Sequence, residues 1–352
     1  MPLTDVNRIA VIMPKWIGDC VMATPALRAL RQRHPNATIT VVSKNVIASL
    51  LQPTGLVDQW VTYRSKKELF AKCWGLRKKR NDATLCFPNT LSTGLATWLT
   101  GARRRIGFNR NARKMLLTDS PTYARRDSEG SNISEIDRFL YITSFLDCLV
   151  DDRRMEVHVT AENRLLCDQM LKSLKLDNAR YLIVLNSSAA VHPIKKMTDE
   201  FIMSLCHKLC DDPEKSVLLH CGPDEREQND ILAKKIAHPR VKNMGDFEDL
   251  PIGLSLAVLE RADIVVTTDS GPRHMAAALD RPLVSIFGPT NPLVTQLYNR
   301  PETIISQQLD CQPCSKRSCP LGHHRCMVDL SCEHVARQVI DCLNQAQVGS
   351  VE

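Results

Sequence analysis

A short apolar run, Ile264-Val265-Val266, leads through Thr267-Thr268-Asp269-Ser270-Gly271-Pro272 into Arg273-His274-Met275-Ala276-Ala277-Ala278-Leu279. The run reads as a buried strand and the alanine-rich segment as a helix. Between them Asp and Ser suit a helix cap, and Pro suits the first helical position. Strand, tight polar turn and helix start in direct succession confine the chain to an α/β arrangement. They also present backbone N–H groups at the positive end of a helix dipole, where phosphate binds. A nucleoside diphosphate is the expected occupant. An ordinary capped βα turn uses the same residues. What favours the anion site is its company: a similar turn near the N-terminus, and a cation at Lys195.

That first turn follows Ile9-Ala10-Val11-Ile12-Met13 and reads Pro14-Lys15-Trp16-Ile17-Gly18-Asp19-Cys20. A helix follows, starting either at Gly18 with a kink at Pro25 or afresh at Thr24-Pro25. Thr38 to Val42 is the next strand, so the chain opens β-turn-α-β, the unit of a parallel, doubly wound sheet. The turn is not GxGxxG, so a dinucleotide fingerprint is absent. Asp19 lies where open α/β sheets place ligands, and its carboxylate can accept a proton from a substrate hydroxyl. As a plain helix cap the same residue needs no function.

Further along, a helix is expected over 65–80 and a strand over 83–87 that ends at Pro88-Asn89-Thr90. Six basic residues then fall within 103–114, Arg105, Arg110 and Arg113 among them. Such a run binds phosphates or carboxylates, or is a solvated loop. The segment after Val150 turns charged, and the link between two domains is expected in the 160s to 170s. A second βαβ series begins with strand 181–185 and the small polar turn Asn186-Ser187-Ser188-Ala189. It continues with Lys195, a helix over 198–210, and a strand over 216–220 that ends at Cys221-Gly222-Pro223-Asp224-Glu225. Two α/β halves with polar loops at their strand ends suggest an active site in a cleft.

A chain of 352 residues is comfortable for two domains. No apolar run approaches the roughly 20 residues that span a bilayer, and no signal peptide is evident, so a cytosolic protein is expected. A net charge of +7 suits an anionic partner without naming one. Of the fourteen cysteines, eight fall in expected core segments and read as small buried hydrophobes of a reducing compartment. Cys311-x2-Cys314-x4-Cys319-x6-Cys326 offers a CxxC half-site for zinc, although its second pair is not CxxC. A loop of reduced thiols is the other reading.

Lys15-Trp16-Ile17-Gly18-Asp19 with Ala23-Thr24-Pro25-Ala26-Leu27, and Thr268 to Leu279, resemble the family-nine glycosyltransferases, the ADP-heptose:lipopolysaccharide heptosyltransferases. Phe287-Gly288-Pro289-Thr290-Asn291-Pro292 is similar to the same family's closing motif. Pro88-Asn89, Gly101 and Arg105-Ile106-Gly107-Phe108 resemble the heptosyltransferase II branch. The resemblance implies an α/β fold of GT-B architecture: an acceptor-binding Rossmann-like domain over 1–170, a donor-binding one over 171–330, and a C-terminal helix over 331–352 able to pack back on the first. It implies inverting transfer of heptose from ADP-heptose to the inner core of lipopolysaccharide, at the cytoplasmic face of the inner membrane, with no cofactor required and no nucleic acid. Asp19 matches the general base and Lys195 the lysine at the diphosphate. Ser187, Ser188, Thr268, Asp269, Ser270, Gly271 and His274 fall to the donor, with Asp224 or Glu225 at its ribose. Gly18, Asn89, Arg105, Arg110 and Arg113 fall to the acceptor. Relatives have Lys-Arg-Trp-Pro where this chain has Lys195-Lys196-Met197-Thr198, so the aromatic is lost. A nucleotide-sugar epimerase of similar architecture, or another core glycosyltransferase such as heptosyltransferase I, is the rival reading.

Overall fold

The computed structural model describes residues 6–149, 152–187, 193–298 and 300–348. Two compact units divide the chain, Met1–His158 with Leu293–Gln296, and Val159–Pro292 with Leu297–Glu352. The division therefore falls at 158/159, before the expected 170/171.

The first unit runs β1 (Arg8–Ile12), α1 (Ile17–Met22), α2 (Thr24–Arg33), β2 (Thr38–Ser43), α3 (Asn45–Leu51), β3 (Gln59–Thr62), α4 (Lys66–Leu76), β4 (Ala83–Cys86), α5 (Leu91–Leu99), β5 (Arg104–Ile106) and α6 (Glu135–Ser144). Its five strands are parallel in the order β3-β2-β1-β4-β5. The ambiguous start of the first helix resolves into two helices. α1 ends at Met22, and α2 restarts with Pro25 in its first turn, where a missing N–H costs nothing. The chain leaves β1 to pair β2 on one side and returns to pair β4 on the other. Loops after β1 and β4 therefore part at a switch point; Asp19 follows the first of them, in the opening turn of α1, and Asn89 lies on the second.

The second unit runs α7 (Ala161–Ser173), β6 (Tyr181–Asn186), α8 (Asp199–Leu209), β7 (Lys215–Leu219), α9 (Arg226–Ile236), β8 (Val241–Asn243), α10 (Ile252–Arg261), β9 (Ile264–Thr268), α11 (Gly271–Ala278), β10 (Leu283–Ile286), β11 (Glu302–Ile305), α12 (Arg325–Val328) and α13 (Cys332–Val348). Six parallel strands lie in the order β11-β10-β9-β6-β7-β8. The switch point falls between β6 and β9. β6, β7, β9 and β10 are almost wholly buried, as strands covered on both faces must be. The C-terminal helix, expected as a separate piece able to pack on the first domain, belongs to the second unit. Val335, Ala336, Val339 and Leu343 of α13 join its core beside Leu205 and Leu209 of α8.

Candidate active site

Five helices, α4 to α8, begin on a Ser or Thr whose hydroxyl accepts the amide three residues on: Ser65, Thr90, Ser134, Thr160 and Thr198. Ser270, at the start of α11, makes no capping bond. Its hydroxyl is held sideways, accepting from Asn186 Nδ2 at 3.2 Å and lying 3.0 Å from Thr267 Oγ1. The Ser270 hydroxyl thus leaves the start of α11 uncapped, as an anion site at a helix start requires.

Lys195 reaches this same start. Its ammonium donates to the Asp269 carbonyl and to Asp269 Oδ2, each at 2.8 Å, which leaves one of its three N–H donors. Burial alone would raise the Asp269 pKa, but Lys195 and Arg273 outweigh it and hold the carboxyl well below the usual range. Behind it Arg273, fully buried, donates from Nε and Nη2 to both oxygens of Glu302 at 2.6 and 2.9 Å and covers the Phe287 ring. The neighbouring His274 is neutral. Burial and the Arg273 charge push its pKa down to about 3, and its Nδ1 has no hydrogen-bond partner among the described residues.

A second layer lies beneath. His220, at the end of β7, places Nδ1 3.3 Å from Asn186 Oδ1 and Nε2 2.5 Å from Ser255 Oγ. Burial lowers its pKa to about 4, so the ring is neutral and the chain His220–Asn186–Ser270 carries no charge. Sequence reasoning missed His220, Ser255, Arg273 and Glu302. The one signal was a histidine at the carboxyl end of an apolar strand.

On the first unit Asp19 is the third residue of α1, half-buried, with Gly18 before it. The basic run differs from expectation. Arg113 was expected at the acceptor, yet its side chain is 0% exposed. It donates from Nε to the Phe108 carbonyl at 2.7 Å and from Nη2 to Asn89 Oδ1 at 2.9 Å, and its Nη1 meets the Pro88 carbonyl. It shapes the loop after β4 from inside, and Asn89 is held by it. Arg105 likewise turns inward, to the Leu116 and Ala102 carbonyls at 2.9 Å each. Arg110 is exposed and lies 4.5 Å over the Tyr123 ring.

Residues 71–325 match the family model described as glycosyltransferase family 9 (heptosyltransferase). The chain belongs to glycosyltransferase family 9. It is 24% identical to the lipopolysaccharide heptosyltransferase 2 of Escherichia coli K12, over 97% of this chain and 99% of that one. Among solved structures it is similar to E. coli ADP-heptose lps heptosyltransferase II, with a TM-score of 0.80, 22% identity, and coverage of 97% and 99%. It is also similar to E. coli heptosyltransferase WaaC with ADP, with a TM-score of 0.67, 19% identity, and coverage of 95% and 99%. This family 9 chain is therefore a glycosyltransferase.

Of the remaining donor candidates in this glycosyltransferase, Thr268 is fully buried and Ser187 is buried at the end of β6, while Ser188 lies outside the described residues. Glu225 accepts from the Gly222 amide at 2.9 Å, whereas Asp224 is exposed and lines a groove with Arg226, Gly245 and Asp246. Cys311, Cys314, Cys319 and Cys326 line one small cavity with His323. The Cys319 sulfur accepts from the His324 amide at 3.4 Å, and this and neighbouring amides lower its pKa. Among the described residues no three His, Cys, Asp or Glu side chains are disposed to hold a metal ion.

Proposed function

We propose that this glycosyltransferase moves a heptose from ADP-heptose to a sugar of the lipopolysaccharide inner core, with inversion. What carries the reading is Lys195, whose ammonium lies at an uncapped helix start with an N–H to give. The names of the E. coli relatives support the donor and acceptor classes.

On this reading Asp19 takes the proton of the acceptor hydroxyl as that oxygen attacks the anomeric carbon opposite ADP. The transition state is oxocarbenium-like. The leaving diphosphate gathers negative charge, which the amides of α11, Lys195 and neutral His274 stabilise. One such donor supplies on the order of 2.7–4 kcal/mol. Asp224, the more open of the two acids after β7, is the better candidate for the ribose hydroxyls. The enzyme works from the cytoplasmic face of the inner membrane, where its lipid-anchored acceptor is made.

The test is Asp19→Asn. Calorimetry should show ADP-heptose binding within a few-fold of wild type, while turnover with a heptose-terminated core acceptor falls by roughly 10²–10⁴. Near wild-type turnover would reject the base assignment.

A further inference from the structure

The positive charge of this chain is concentrated in one segment of the first unit, along α4 and the turn that follows it. From Arg64 to Arg80 there are eight Lys or Arg side chains, all exposed, against one carboxylate, Glu68. This single segment holds an excess as large as that of the whole chain, +7. The ion pairs of the first unit lie elsewhere among the described residues, at Arg28, Arg31, Arg104, Arg138, Arg153 and Arg154. The run 103–114, in contrast, turns three of its six cations inward.

Beside this charge lies apolar surface. α4 packs its Leu69, Cys73 and Leu76 against Ala96 of α5. Its outward side carries Lys67, Ala71 and Trp74 at helical spacing, and Trp74 is 55% exposed. On α5 the outward positions Leu91, Leu95 and Trp98 have the same spacing and are all apolar, with Leu91 52% and Trp98 42% exposed. Met115, on the short turn that follows Arg113, is 94% exposed. Large apolar side chains at consecutive outward turns, bordered by unpaired lysines, do not arise from solubility alone.

We infer that the α4–α5 face docks on a bilayer surface bearing anionic phospholipid headgroups. Lysines beside the apolar stripe meet the headgroups, and Trp74 and Trp98 settle at the interface, where indole's apolar body and polar N–H are both satisfied. The lysine stems extend over apolar surface while their ammonium groups stay with phosphate. The inference deepens the proposed reading, since such an acceptor is held in a membrane. Its readout does not involve sugar transfer, so either can fail alone.

The experiment is co-sedimentation of the full chain with vesicles of phosphatidylglycerol and phosphatidylethanolamine, against vesicles of phosphatidylcholine. Binding is expected to the anionic vesicles only, to weaken with salt, and to shift tryptophan emission to the blue. Lys67→Glu with Lys72→Glu and Lys78→Glu should lower partitioning on the order of 100-fold. Trp74→Ser with Trp98→Ser should abolish the blue shift. Both variants are on the surface, and unchanged melting and ADP binding confirm that they fold. Absence of vesicle binding, equal binding to both compositions, or equal binding by the variants overturns the inference. So does duplex DNA binding that matches vesicle binding and ignores the tryptophans, which would make the face a nucleic-acid surface.

Discussion

His220 and His274 are neutral because they are buried, and that has a consequence for pH. Their folded pKa values, about 4 and about 3, lie below the ordinary value near 6.5. Between those limits the unfolded chain binds protons that the folded chain does not. Their contribution is complete above about pH 6.5 and is lost as pH falls toward 4. Each histidine adds about 1.4 kcal/mol per pH unit to that loss. Urea unfolding at pH 7, 6 and 5 should show the decline, and His220→Gln should shrink its slope by about one such increment. Lys195 offers a second measurement. Lys195→Met removes the nearer of two cations beside the buried Asp269 carboxylate, Arg273 standing at 3.7 Å, and should cost roughly 1–3 kcal/mol of stability at pH 7. Adding Asp269→Asn should recover much of this, which chemical denaturation of the single and double variants will check. At this scale the sequence was only partly legible. Asp269, Ser270 and Lys195 declared themselves by type and position, but nothing in a run of arginines reveals that Arg113 points inward. That depends on the carbonyls of Pro88 and Phe108, which only the fold supplies.

Among elements, every strand with a neighbour on both sides was readable as an apolar run, from Ile9-Ala10-Val11-Ile12 to the run at Leu283. The four strands that were not, β3, β5, β8 and β11, are the four sheet edges. An edge strand is short and only partly buried, so its residues need not be apolar: β5 is Arg104-Arg105-Ile106, inside the basic run. Helix starts were legible through caps and apolar stripes, their ends less so: the helix expected over 198–210 is Asp199–Leu209, that over 65–80 stops at Leu76, and α3 was not read at all. α5 shows what close packing demands. A Cβ on Gly94 would stand 2.9 Å from the Arg113 Cβ, with Arg113 Cδ next at 3.3 Å and Leu116 Cδ1 at 3.4 Å. Because the nearest atom is tied to the backbone, Gly94→Ala must move α5 or the Arg113 segment, and should cost about 1–3 kcal/mol. Thermal unfolding would register this as a lower midpoint, and an unchanged midpoint would show that the helix yields freely.

At the scale of the molecule the sequence disclosed two α/β halves and their order, while the division at 158/159 falls ahead of the link expected in the 160s to 170s. It did not disclose that the division is not a single cut. Leu293–Gln296, more than a hundred residues past that link, belongs to the first unit, where the Val294 carbonyl accepts from the Glu135 amide at 2.9 Å at the head of α6. α13 likewise completes the core of the second unit from the far end of the chain. A chimera with a relative, spliced once at His158, would therefore seat a foreign tetrapeptide against the native α6. An N-terminal fragment ending there would leave the Glu135 amide without that acceptor. Exchanging whole halves between family members takes three junctions, after His158, Pro292 and Gln296.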